Sequence, residues 1–217
     1  MDIVVSGTAL LVFSPVLVVM AIWIKLDSPG PVFYRGVRGG KGNKPFSMFK
    51  FRSMRQGADA GGVSSSGDGD SRITKSGAFI RKAKLDELSQ LINVLIGDMS
   101  LVGPRPEVLK YTNAYTGELL EIFTVRPGIT DWASIWNADE GAVLAGAPDP
   151  DRAYEQLIQP TKLQLQLRYV RQRSLAMDIE ILLCTARRLV DRAFYPKALA
   201  DVPRLQPGAG AALADAR

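Results

Sequence analysis

Ile3-Val-Val-Ser-Gly-Thr-Ala-Leu-Leu-Val-Phe-Ser14-Pro15-Val-Leu-Val-Val-Met-Ala-Ile-Trp-Ile24 runs without a charged residue. As a helix it is roughly 33 Å long, close to the thickness of a bilayer's hydrocarbon core. No basic segment precedes it, and it gives way to Lys25-Leu26-Asp27 with no small-x-small pattern, so a cleavable signal peptide fits poorly. A membrane-embedded segment is expected; the other reading is a buried helix of a soluble core. Ser14-Pro15 stands in the middle of the run. Proline removes one helical hydrogen bond and collides with the carbonyl a turn earlier, so a kink is expected there. In lipid the freed carbonyl needs a partner, which the hydroxyl of Ser14 or Ser6 can supply. Hydropathy leaves two arrangements open, a bent span or a broken helix that returns to the face it entered. The positive-inside rule puts Lys25 and the basic chain after it on the cytoplasmic side.

Taken whole, the 217 residues amount to about one domain, with 47% apolar and 23% charged side chains, enough for a packed core. The net charge of +5 favours anionic partners such as phosphate esters or lipid headgroups. Cys184 is the one cysteine and histidine is absent. A disulfide framework, a Cys/His zinc site and an imidazole base are all excluded. Chemistry must come from carboxylates, Lys, Arg, hydroxyls or a hard metal ion.

After the apolar run, Asp27-Ser-Pro-Gly-Pro31 breaks any helix. Pro31 to Arg35 and Phe46 to Arg52 are strand-like around a Gly-rich stretch from Gly36 to Lys44, which predicts a hairpin. The glycines there open no helix and lack phosphate-loop spacing, so a plain turn is favoured. Residues 56–71 read as a mobile loop, within which Asp68-Gly-Asp70 weakly resembles a metal-binding Asp-x-Asp. Ser76 to Gly97 has the periodicity of one helix. Gly103-Pro-Arg-Pro106 reads as a rigid turn, with a shorter helix over 107–124 and a loop from Arg126 that carries Trp132 and Trp136. Residues 151–195 read as mostly helical, interrupted at Pro160. Their second part bears Leu175, Ile179, Leu182, Ala186, Leu189 and Val190 on one face, with Arg187, Arg188 and Arg192 near its end. Such a stripe packs on a core or lies in a membrane interface. The Ala/Gly/Pro-rich residues 196–217 read as a disordered tail.

Asp86-Glu87 stands among Arg81, Lys82 and Lys84. On a helix these two carboxylates diverge by about 100°, so they either flank one ligand or form a solvated face. Arg81, displaced by about 140° on a helix, reaches Asp86 only through long side chains or if a helix ends there. Arg105, held between two prolines, presents a planar fork suited to phosphate, or else sits in a surface turn. Lys50 and Arg52 alternate with Phe49 and Phe51, placing a basic strand face toward either a ligand or solvent. Carboxylates beside such cations suit phosphoryl chemistry with Mg2+, which takes oxygen ligands and neutralises a diphosphate.

Ser28-Pro-Gly-Pro-Val-Phe-Tyr-Arg35, Phe49-Lys-Phe-Arg-Ser-Met54, Asp70-Ser-Arg-Ile-Thr74, Phe79-Ile-Arg-Lys82, Leu85-Asp-Glu-Leu-Ser-Gln-Leu-Ile-Asn-Val-Leu95, Gly97-Asp-Met-Ser-Leu-Val-Gly-Pro-Arg-Pro-Glu107 and Arg126-Pro-Gly-Ile-Thr130 occur in that order. From about residue 5 to 195 the chain resembles the bacterial sugar transferase family, the monotopic phosphoglycosyl transferases. The resemblance implies transfer of a sugar 1-phosphate from a UDP-sugar to polyprenol (undecaprenyl) phosphate, with release of UMP, as the first membrane step of glycoconjugate or exopolysaccharide synthesis. It implies that Asp86 is the nucleophile of a covalent phosphosugar intermediate. Glu87 holds Mg2+ with Asp86 or handles a proton, and Arg81, Arg105 and Lys50 bind phosphate, with Arg52 and Arg126 completing that set. It makes the segment before Lys25 a re-entrant membrane helix broken at Ser14-Pro15, and places the protein at the bacterial inner membrane with its catalytic domain on the cytoplasmic face. Two departures stand out. Ser89 replaces the proline common after Asp-Glu-Leu, and Asp131 stands where many members have Gly, both where a nucleotide or sugar would be read.

The expected fold is therefore α/β, mostly helical with a small β-hairpin and amphipathic interfacial helices. A membrane helix over 1–26 precedes a catalytic domain over 27–195 and the tail over 196–217. Membrane lipids are expected partners, and a homodimer stays open. A membrane-bound scaffold with a dead site is the other class of function, but it would not need Asp86, Glu87 and Arg105 together. No nucleic-acid partner is expected, since the surplus charge is small and no recognition motif appears.

Overall fold

The computed structural model describes residues 1–58 and 70–212. Helix α1 (Asp2–Asp27) leads into an antiparallel hairpin of β1 (Phe33–Gly39) and β2 (Pro45–Phe51). Next come α2 (Lys75–Lys82), a 3-10 turn (Leu85–Glu87), α3 (Gln90–Ile96), β3 (Ser100–Val102), α4 (Leu109–Thr112), a 3-10 segment (Gly117–Thr124) and β4 (Gly128–Thr130). The remainder is helical: α5 (Trp132–Trp136), α6 (Glu140–Val143), α7 (Pro150–Ala153), a π-turn (Tyr154–Ile158), α8 (Gln159–Gln172), α9 (Leu175–Val190) and α10 (Ala209–Ala212). The expected mostly helical fold with a small sheet component is what the chain adopts.

Helix α1 stays helical across Ser14-Pro15. Pro15 has no N–H for the carbonyl of Leu11, and Ser14 Oγ donates to that carbonyl instead at 2.8 Å. The helix is long and apolar enough to cross a membrane, and most of its side chains face outward. One edge packs against the domain along its whole length. Ser6 is buried and Gly7 faces Leu95, while Ala9 and Leu10 meet the main core. Toward its C-terminus, Met20 and Ile24 share a smaller cluster with Phe51 and Ile80. The last residue, Asp27, accepts hydrogen bonds from the backbone N–H and the hydroxyl of Ser76, at 2.8 and 2.7 Å, and so ties the end of α1 to the start of α2.

The hairpin register pairs Tyr34 with Lys50, Gly36 with Met48 and Arg38 with Phe46, placing those six on one face. Asn93 of α3 docks that hairpin: its Oδ1 accepts the N–H of Phe49 at 2.8 Å and its Nδ2 donates to the carbonyl of Ser47 at 2.9 Å. The main core gathers Met48, Leu91, Val94, Trp132, Trp136, Tyr154 and Ile181.

Five local expectations change. The shorter helix expected over 107–124 is divided into α4 (Leu109–Thr112) and the 3-10 segment Gly117–Thr124. The helix expected over 76–97 is broken in the middle, because Lys84 adopts a left-handed conformation (φ 56°, ψ 26°) that no α-helix continues through. The loop expected from Arg126 instead contains β4, which pairs in parallel with β3. That pairing lacks the alternation that would have announced it. Pro160 sits in the first turn of α8, where proline is tolerated, and the real break in the C-terminal helices comes between α8 and α9. The segment read as a tail is packed up to residue 212: Leu199 lies in the main core, and Trp136 Nε1 donates to the carbonyl of Pro203 at 2.8 Å. Residues 213–217 lie outside the described residues, as do most of the loop over 56–71 and Asp68. Asp70 of that Asp-x-Asp reading is engaged by Arg72, whose Nη2 donates to Oδ2 at 2.7 Å.

α9 points Ile181 inward and exposes Leu175, Ile179, Leu183, Leu189 and Val190. The helix therefore packs on the core through one edge, with Met177 and Leu182 beside Ile181, and leaves an apolar surface on the other.

Candidate active site

The left-handed turn at Lys84 ends α2 and redirects the chain, so Asp86 and Glu87 sit on a 3-10 turn and not on a helix face. Such a non-glycine residue costs about 1–2 kcal/mol of backbone strain. Lys84 Nζ donates to the carbonyl of Ala138 at 2.6 Å and holds the turn, while Ser89 Oγ donates to the carbonyl of Asp86 at 3.2 Å from within the turn. Ser89, the first of the two departures, thus fixes the turn by a hydrogen bond.

Lys50 comes to this turn from β2. Its Nζ lies 3.6 Å from Glu87 Oε1 and 4.0 Å from Asp86 Oδ2. Arg105 arrives from the opposite side. Its Nη1 donates to Glu87 Oε2 at 3.1 Å and its Nη2 donates to Oε1, a two-point fork. The Pro104-Arg105-Pro106 turn is stapled by the β3–β4 pairing, with Gly103 N–H donating to the carbonyl of Thr130 and Gly128 N–H to that of Pro104, both at 3.0 Å. The backbones approach so closely that a Cβ on Gly128 would lie 2.1 Å from the nitrogen of Gly103, and only glycine fits. Asp131, the second departure, is buried. Its Oδ1 accepts from the N–H and hydroxyl of Ser134 at 2.6 and 2.7 Å, capping α5, and its Oδ2 accepts from the N–H of Arg105 at 3.4 Å. It braces the arginine turn.

Burial is the largest influence on both carboxylates, yet they end on opposite sides of the ordinary range. Burial raises the carboxyl of Asp86 above its usual value; the Glu87 charge adds to this, and Lys50, Arg105 and Arg81 oppose it. For Glu87 burial also acts upward, but Arg105 and Lys50 outweigh it and hold the group at about 2. Desolvation lowers Lys50, partly offset by Glu87 and Asp86. Glu87 is thus a fixed anion gripped by cations, and Asp86 carries the more basic oxygen.

The structure brings together Lys50, Asp86, Glu87 and Arg105, with Arg81 acting on Asp86 from the end of α2. Arg52 goes elsewhere. Its guanidinium is buried and donates to the carbonyls of Pro29 (2.8 Å), Ser28 (2.6 Å) and Ile24 (3.4 Å) and to Ser28 Oγ (3.0 Å), closing the C-terminus of α1. Strand alternation put Arg52 beside Lys50, but β2 ends at Phe51 and the alternation ends with it. Arg126 is exposed and makes no ion pair with the two carboxylates among the described residues. Arg38 is the addition. It shares the Lys50 face of the hairpin, and its charge is felt at both Lys50 and, reciprocally, Arg105. Its spacing of four from Tyr34 along β1 was the signal for this. Behind Arg105, Glu107 is gripped by Lys162 and Tyr154, with Lys162 Nζ 2.9 Å from Tyr154 Oη.

Two carboxylates and no nitrogen or sulfur donor make a set that suits Mg2+, which binds through one or two carboxylates plus phosphate oxygens and water. Among the described residues no group of three or more His, Cys, Asp or Glu side chains gathers. Asp86 and Glu87 would hold such an ion together with the ligand's own phosphates.

Comparison with known proteins gives a consistent result. The family described as bacterial sugar transferase matches residues 1–192. The chain is 39% identical over 193 residues to a UDP-N-acetylgalactosamine-undecaprenyl-phosphate N-acetylgalactosaminephosphotransferase of Aeromonas hydrophila, covering 88% of this chain and 43% of that protein. It is 39% identical over 201 residues to a UDP-glucose:undecaprenyl-phosphate glucose-1-phosphate transferase of Escherichia coli (strain K12), covering 89% of this chain and 40% of the other. With an exopolysaccharide production protein of Rhizobium leguminosarum bv. phaseoli it shares 38% identity over 192 residues, 85% of this chain and 90% of that one. The chain thus spans about two fifths of the length of the first two relatives.

Proposed function

The chain belongs to the bacterial sugar transferase family, and from that premise we propose that it is a phosphoglycosyl transferase moving a sugar 1-phosphate from a UDP-sugar to undecaprenyl phosphate, yielding polyprenyl-diphospho-sugar and UMP. Two relatives carry names of that reaction type. The observation that carries the reading is the asymmetry of the two carboxylates: Glu87 held in the Arg105 fork, and Asp86 raised by burial with Lys50 4.0 Å away.

The chemistry rests on that asymmetry. An Asp86 oxygen attacks the sugar-bearing phosphorus, a P–O bond forms, and the bond to UMP breaks with its electrons going to the UMP phosphate. A polyprenyl phosphate oxygen then attacks the same phosphorus, and the acyl–phosphate bond breaks to return Asp86 as a carboxylate. Splitting the transfer spares the site from holding donor, lipid and nucleotide at one instant. Arg105, Arg81 and Lys50 stabilise the charge on the phosphoryl oxygens. A bound Mg2+ would neutralise the diphosphate and help UMP leave. Incubation of the full chain with UDP-sugar alone tests the two-step course: UMP release together with a sugar-phosphate mass adduct on Asp86 supports it, and release only in the presence of acceptor argues for single-step transfer. EDTA abolishing turnover and Mg2+ restoring it tests the metal.

We further propose that α1 is re-entrant, lying in the inner membrane with the catalytic domain on the cytoplasmic face. The 26-residue helix is about 39 Å long. Yet Ser6, Ala9 and Leu10 near one end pack on the domain, and Asp27 at the other binds Ser76. Contacts of both ends with one domain favour immersion in a single leaflet over a crossing that leaves the domain at one end. Single cysteines at positions 2 and 27, in a Cys184→Ser background, should both be labelled from the same side; labelling from opposite sides overturns this.

A further inference from the structure

A cleft of about 100 Å³ opens between the C-terminal end of α9 and the α5–α6 connection, away from the Lys50–Glu87 pair. A water needs about 10–15 Å³ of such space, so this cleft accommodates a group the size of a phosphate with room beyond it. Arg188, Arg192 and Arg204 line it against one carboxylate, Asp139.

Each of the three guanidinium groups has a partner, Arg192 and Arg204 from exposed positions. Arg188 Nη2 donates to Asp139 Oδ2 at 2.8 Å, while its Nε is buried without a hydrogen-bond acceptor. Arg204 lies 4.3 Å from the centroid of the Tyr195 ring, which fixes its plane. Arg192 Nη2 donates to the carbonyl of Lys82 at 2.9 Å. Three guanidinium groups around one cleft offer planar, permanently charged donors suited to phosphate oxygens.

The cleft is coupled to the dyad by two hydrogen bonds. Arg192 holds the carbonyl of Lys82, and Lys84 holds the carbonyl of Ala138, one residue beyond Asn137 of the cleft wall. Residues 82–84 lead directly into the turn of Asp86. Between Arg188 and Arg192, Leu189 and Val190 end α9 with 60% and 90% exposure. The opposite wall includes Leu205 and Pro207, from the segment the sequence read as a tail.

We propose that this cleft is a second phosphate site, distinct from the Lys50–Arg105 set, and that it holds the phosphate of either the nucleotide or the prenyl phosphate in a docked position outside the reacting one at Asp86. The identity of the ligand rests on the transferase reading; the binding does not. The probes are UDP in solution and undecaprenyl phosphate in phosphatidylcholine vesicles. Each is titrated against the full chain and against two variants, Arg192→Gln combined with Arg204→Gln, and Asp139→Asn. The arginine variant should weaken one probe about tenfold or more, equivalent to losing a charge-assisted contact. Asp139→Asn, which frees Arg188, should tighten that same probe. Loss in the UDP arm assigns the nucleotide, and loss in the vesicle arm assigns the lipid acceptor. Affinities for both probes within about twofold of the unmutated chain in both variants overturn the site. Should the arginine variant not fold, Asp139→Asn decides alone: tighter binding supports the site and unchanged binding overturns it. Failure of the transferase reading shows separately, as absent UMP release by the unmutated chain.

Discussion

Arg105 holds both carboxylate oxygens of Glu87, with Nη1 donating at 3.1 Å and Nη2 to the other oxygen. Asp86, one residue away, has Lys50 at 4.0 Å. The turn therefore presents two carboxylates in unlike states, one neutralised by a fork and one made more basic by burial. Activity and stability should both register that difference.

Asp86→Asn should lower UMP release by on the order of 10³-fold or more, the scale on which lost nucleophiles register. The protein should stay folded, since an unfavourably buried charge has been removed. Unchanged turnover of the purified variant would remove Asp86 from the nucleophile role.

Arg105→Ala leaves Glu87 with only Lys50 beside it. It should destabilise the chain by about 1–3 kcal/mol and lower turnover, because the partly buried carboxylate loses its main partner and the phosphate loses a fork. Arg105→Lys should recover stability better than activity, a split read by thermal melting alongside donor turnover.

The pH dependence has two opposite signs. The proposed course uses Asp86 as a carboxylate, so the acid limb of kcat/KM should lie above the usual Asp value of 3.8. Glu87 is depressed from 4.5 to about 2, so its stabilising contribution is full above 4.5 and is lost as pH falls toward 2. For Asp86, raised in the folded chain, the contribution is lost as pH rises through its folded value. Asp86→Asn should therefore raise the melting temperature at neutral pH, and a drop would contradict the direction of its shift.

Ser14→Ala removes the donor that serves the carbonyl of Leu11. It should cost about 1 kcal/mol in nanodiscs. Pro15→Ala restores a backbone N–H for that same carbonyl, so the double variant should be more stable than the two single effects predict. Strict additivity would mean that the hydroxyl does no compensating.

Arg52→Ala should act on stability and leave the KM for donor unchanged in the folded protein. Its donors serve the α1 terminus and none of the site groups. A rise in the KM for UDP-sugar would return Arg52 to the phosphate set.

The family, the α/β class and the hairpin were legible because each depends on local order: apolar run lengths, alternation at 31–52 and a dense series of motifs. The Pro15 problem and its Ser14 solution were legible for the same reason, as both lie within one helical turn. The break at Lys84 was not, since periodicity over 76–97 is that of a helix and only docking onto Ala138 repays a left-handed lysine. Nor was the order of residues 196–212, whose composition is that of a tail until Trp136 and the main core receive it.

By itself the sequence determined which groups can react. A chain without histidine, with an Asp-Glu pair beside lysine and arginines, has carboxylate and cation chemistry to offer, and those side chains are fixed by the covalent chain. Only the tertiary structure decided which of the two carboxylates stays a paired anion and which carries the more basic oxygen. That choice depends on burial and on charges brought from β2 and the β3–β4 pairing, at separations no local pattern encodes.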